Sequence, residues 1–83
     1  MSKRDKALAR ARNSPKGWTA LELGSLLGKF GFTYTAGGKH DHYESPRDAS
    51  LYMPVPRGSG ELPAGYVRDA VRHIDCHLAL DEK

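Results

Sequence analysis

Leu23, Leu26, Leu27 and Phe30 recur at i, i+3, i+4 and i+7, and this stripe constrains the fold more than any other feature of the chain. Thr19 and Glu22 stand just ahead of it as a T-x-x-E capping box, and Gly31 stands behind it as a stop. Such a helix has one apolar side and must bury it. Gly24 and Gly28 lie four apart inside it, weak in helix propensity but open to close approach by another element. A second stripe, Val67, Ala70, Val71, Ile74 and Leu78, follows Pro63 and leaves Arg68, Asp69, Arg72 and Asp75 for water. Between the stripes the period changes to two. Phe32-Thr33-Tyr34-Thr35 alternates aromatic and threonine, a second strand covers about His40 to Ser45, and Ser50 to Val55 sets Leu51, Met53 and Val55 on one face. Gly37-Gly38 and Pro46-Arg47-Asp48 supply the turns. Pro54 marks the third strand as an edge or as ending early, and residues 57–62 read as a mobile polar loop.

Eighty-three residues make one domain. The order helix, helix, strand, strand, strand, helix predicts an α+β fold, with helices on one face of a three-stranded antiparallel sheet. Ser2 caps a leading helix that runs to about Arg12 and carries only Leu8 as a large apolar residue, so residues 1–12 are a weakly docked basic helix or arm and residues 13–83 the main domain. Residues 1–17 hold six Lys and Arg against one Asp, net +5, and the +3 of the whole chain leaves −2 for residues 18–83. Such an arm either attracts nucleic-acid phosphates or serves as a solvated helix. The single cysteine, Cys76, forms no intrachain disulfide and fits a reducing cytoplasm. No apolar run has the length of a membrane span or signal peptide.

Gly37-Gly38-Lys39-His40-Asp41-His42-Tyr43 concentrates the candidate chemistry. His40 and His42 alternate, so both imidazoles project from one face of a strand, and imidazole exchanges protons near neutral pH. Tyr43 has the opposite parity and belongs to the core, with Leu51 or Met53. RNA cleavage requires a 2′-hydroxyl to lose its proton and the 5′-oxygen to gain one, work that one or two imidazoles perform without a metal. His40 is the candidate general base. His42 is either its helper, as acid or phosphate contact, or an ordinary exposed histidine. Lys39, Gly38, Arg57 and Lys16 are candidate RNA contacts, Arg57 as a phosphate clamp, with Tyr52 as a stacking surface on the same face. The plain alternative for Tyr52, Arg57 and Lys16 is ordinary surface. His73, Cys76 and His77 add zinc-type ligands, but Cys76 and His77 are adjacent on a helix that should cover the face opposite His40, so no metal site and no cofactor is expected. Neither a nucleophile elbow nor a Walker-type loop is present.

Asn13-x-Pro15-Lys16, Leu26-Leu27, Gly31-Phe32, Gly38-x-His40-x-x-Tyr43, Pro54-Val55-Pro56, Gly58-Ser59 and Val67-Arg68-x-Ala70 occur in that order between Asn13 and Ile74. In this order and spacing they resemble the HicA (YcfA-like) toxins, small mRNA interferases of type II toxin–antitoxin systems. The resemblance implies a double-stranded-RNA-binding-domain-like α-β-β-β-α fold. It also implies an endoribonuclease whose catalytic histidine is His40, and a HicB-like antitoxin that covers the active face within a larger assembly. Lys39 stands where that family usually has serine. The alternative is a non-catalytic RNA-binding module on the same fold.

Overall fold

The computed structural model describes residues 2–58 and 60–81. The elements are α1 (Lys3–Asn13), α2 (Ala20–Lys29), β1 (Thr33–Gly37), β2 (His40–Ser45), β3 (Asp48–Pro56) and α3 (Ala64–Asp81). The strands form one antiparallel sheet in the order β1-β2-β3, and the chain is a small α+β domain.

Both ends of α2 follow from its sequence. The Thr19 side chain accepts from the Glu22 N–H, and the Glu22 carboxylate accepts from the Thr19 N–H at 3.1 Å, which satisfies two of the helix's orphan donors. At the other end Gly31 takes φ +89°, and the Phe32 N–H donates back to the Leu27 carbonyl at 3.2 Å. Leu23, Leu26, Leu27 and Phe30 are all buried, together with Val67, Ala70, Val71 and Ile74 of α3 and Tyr43, Met53 and Val55 of the sheet. Each large side chain so buried contributes about 1.5–3 kcal/mol.

Two expectations from the sequence change. The leading helix is not loosely docked: α1 packs on α2 and α3, with Leu8 and Ala11 buried. Arg10 lies 4.2 Å above the buried Trp18 ring and bonds Glu22, and Arg12 forms a two-pronged pair with Asp75 at 2.9 Å. Trp18 is the anchor that the helical stripes did not reveal, since it sits in a turn; its Nε1 donates to the Ser14 carbonyl at 2.9 Å. The 57–62 loop is also tied down at its far end. The Leu62 N–H donates to the Trp18 carbonyl, Leu62 is buried, and Glu61 bridges Thr19.

The first hairpin turns at Gly38-Lys39, not at Gly37-Gly38. Gly37 closes β1 opposite His40, and Gly38 at φ +45° takes the first central place of a two-residue loop. That turn sets Tyr34 beside Tyr43 and Thr35 beside His42. The second hairpin, through Pro46-Arg47, pairs Tyr43 with Met53 and Asp41 with Val55 on the helix-covered face, and His42 with Pro54 and His40 with Pro56 on the other. β3 is an edge strand, so the missing N–H groups of Pro54 and Pro56 fall on its solvent side and cost the ladder nothing.

Candidate active site

The sheet face away from the helices carries Thr33, Thr35 and Gly37 from β1, His40, His42 and Glu44 from β2, and Tyr52, Pro54 and Pro56 from β3. Among these His42 is held in place. Its ring stacks on Tyr52 with centroids 5.3 Å apart and planes 14° apart, and its Nδ1 is hydrogen-bonded to the Tyr52 hydroxyl. The opposite edge of the ring lies over Gly37, where an added Cβ would stand 2.7 Å from Cδ2 and 2.8 Å from Nε2. Only glycine admits the ring there. Gly37 faces His40 across the hairpin, so the His42 ring reaches across the sheet from Tyr52 to the β1 backbone at the level of His40. His40 is half-buried at the start of β2, and its ring makes no hydrogen bond among the described residues.

The other proposed contacts divide between the two sides of the sheet. Lys39 is an exposed turn residue next to His40, and its carbonyl accepts from the Arg57 N–H at 3.1 Å. The Arg57 side chain is not on the histidine face. It shares the parity of Met53 and Val55, and its Nε donates to Asp41 Oδ1 at 2.8 Å. The Tyr34 hydroxyl donates to the same oxygen at 3.0 Å. Arg57, and to a lesser degree Tyr34, hold the Asp41 carboxyl below its ordinary range. Counting by twos from Val55 would have placed Arg57 correctly. Lys16 is exposed in the turn between α1 and α2, off the sheet. The basic α1 packs on the helix layer, so its charge lies behind the sheet and does not line the histidine face.

Arg57, Asp41 and Tyr34 instead line an open cleft of about 530 Å³ between α2 and the sheet, together with Leu21, Gly24 and Tyr43. Tyr43 lies with its hydroxyl against Gly24, where a Cβ would collide with it, so that glycine supplies the close approach expected of the α2 pair. Burial pushes the Tyr43 phenol up, and the Asp41 charge adds to the shift.

His77 proves to be a structural residue. It is buried, its Nδ1 lies 2.7 Å from Ser45 Oγ, and its Nε2 lies 3.0 Å from Arg47 Nη1. A guanidinium only donates, so Nε2 accepts and Nδ1 carries the hydrogen that goes to Ser45. Phe32 packs on the ring at 4.9 Å. Cys76 is exposed, and among the described residues no three His, Cys, Asp or Glu side chains converge as a metal site. None of the described helices is long and apolar enough to cross a membrane.

Compared with family models, curated proteins and solved structures, the chain matches none. The functional reading therefore rests on the residues themselves. The histidine face presents two neighbouring imidazoles, one of them positioned by an aromatic hydroxyl, beside a lysine and an exposed tyrosine ring. Such a surface suits acid–base chemistry on a phosphodiester.

Proposed function

We propose that this chain is a HicA-like toxin, an endoribonuclease that cleaves mRNA through His40 and is neutralised in the cytoplasm by a HicB-like antitoxin. Under this reading the sheet and helices form a double-stranded-RNA-binding-domain-like fold. The observation that carries the proposal is the pair His40 and His42, side by side on a sheet face that no helix covers. RNA carries its own nucleophile, the 2′-hydroxyl, so imidazoles suffice for the proton transfers and no metal is required. Lys39 supplies positive charge next to His40. With the basic helix on the far side and Arg57 paired to Asp41, affinity for free RNA rests on few phosphate contacts and is modest and salt-sensitive.

A second reading, RNA binding without cleavage, draws on Tyr52, whose half-exposed ring offers a base a stacking surface. One experiment separates the two. The chain is expressed inducibly with and without the neighbouring antitoxin gene, and the purified protein is given RNA in the presence of EDTA. Growth arrest, cleavage that survives EDTA, and loss of both in His40→Ala are expected. RNA that is bound but left intact selects the binding module, and cleavage unchanged in His40→Ala overturns the assignment of His40.

A further inference from the structure

The proposed chemistry needs a group to protonate the leaving 5′-oxygen, and we infer that His42, positioned by Tyr52, is that general acid. This inference rests on the endoribonuclease reading and extends it to the second half of the reaction. The attacking and leaving oxygens of an in-line displacement lie on opposite sides of phosphorus, so base and acid must approach from two directions. Residues two apart on a strand have Cα atoms about 6.6 Å apart, which lets two imidazoles flank one phosphate. Three observations single out His42. Its Nδ1 is occupied by the Tyr52 hydroxyl, its ring is stacked on Tyr52, and Gly37, the cross-strand partner of His40, leaves room for the Nε2 edge. Nε2 itself makes no hydrogen bond among the described residues.

The proton accounting closes. His40 takes the 2′-hydroxyl proton as the 2′-oxygen bonds to phosphorus. The P–O5′ bond breaks, and the 5′-oxygen takes the proton from His42 Nε2, giving a 2′,3′-cyclic phosphate and a 5′-hydroxyl. Throughout, the Tyr52 oxygen accepts from Nδ1–H, which keeps Nε2 the reacting nitrogen. Tyr52 is a positioning residue in this scheme. The ionisable groups around His42 are Tyr52 on β3, His40 and Glu44 on its own strand, Lys39 in the turn, and Asp41, which acts through the sheet. β1 contributes Thr35 and Gly37 and no charge.

The test uses the full chain and two RNA oligonucleotides, one natural and one with sulfur replacing the 5′-oxygen at the bond the native protein cuts. A thiolate leaves without help from an acid. His42→Gln is expected to lose about 10²-fold in kcat on natural RNA and little on the thio substrate, whereas His40→Gln loses on both. Tyr52→Phe keeps the stacked ring and loses the hydroxyl, so it should lose about 5–10-fold on natural RNA, in kcat more than KM, and recover on the thio substrate. Equal losses on both substrates for His42→Gln and Tyr52→Phe, or no loss at all, overturn the inference while leaving the nuclease reading intact. If His42→Gln does not fold, the Tyr52→Phe comparison decides alone. Native protein that cuts neither substrate overturns the nuclease reading and this inference together.

Discussion

His77 and His42 are the same residue type in opposite circumstances. His77 is buried between α3 and the second hairpin, with Ser45 on one nitrogen and Arg47 on the other, so its tautomer is dictated and neither nitrogen is left for a ligand. His42 lies on the open sheet face, with Tyr52 holding Nδ1 and Nε2 left unbonded. A histidine with both nitrogens engaged in the interior is a strut. One with a single nitrogen held and the other unbonded keeps a nitrogen for proton transfer. In this molecule partner count and burial, not the surrounding motif, separate the two roles.

The comparison breaks most sharply at His40. His40→Ala should reduce RNA cleavage by about 10²–10⁴-fold, with a urea midpoint close to that of the native chain, because its ring is not part of the core. An unfolded His40→Ala protein would show that the open face is structural after all. His77→Ala should do the reverse. Loss of the Ser45 and Arg47 bonds and of the Phe32 contact should cost about 2–3 kcal/mol in urea unfolding, while cleavage per folded molecule stays native.

Two smaller contrasts sharpen the view of the covered face. Gly24→Ala forces a Cβ into the Tyr43 hydroxyl and should destabilise by about 1–3 kcal/mol, despite better helix propensity. Gly28→Ala meets nothing within 4 Å in the same helix and should stabilise by about 0.5–1 kcal/mol. Thermal unfolding of the pair measures both signs side by side. The smallest effect is expected at the exposed Arg57–Asp41 pair. The carboxyl is lowered in the folded state by Arg57, so its contribution is present above the unfolded value and is lost as pH falls through the folded one. Arg57→Gln should therefore lose stability near neutral pH, and the difference should begin to shrink only below the ordinary carboxyl value of about 3.9 and vanish once pH passes below the lowered folded one. A constant difference across an acid titration would sink that account.

Much of the architecture was legible because it is written in local patterns. The Thr19–Glu22 box, the α2 stripe, Gly31 and the β2 span depend on residues within a few positions of one another, and each stands where the pattern puts it. The inward placement of Tyr43 followed from strand parity alone. Trp18 and Leu62 went unread because each sits in a turn, where no period announces burial. The basic helix misled because its lysines and arginines hid how Arg10 and Arg12 reach across to Trp18, Glu22 and Asp75.

The candidate site divides in the same way. That His40 and His42 share a face is a property of strand alternation, so the sequence alone determined it, along with the elements and their order. The turns at Gly38-Lys39 and Pro46-Arg47 set the two strand registers, and the registers decided the rest. They brought Gly37 under His42 and Tyr52 beside it, and they paired Asp41 with Val55, on the face where Arg57 meets it. Those contacts join residues 5 to 16 positions apart, through strand pairings that no local propensity encodes, and only the folded sheet chose them.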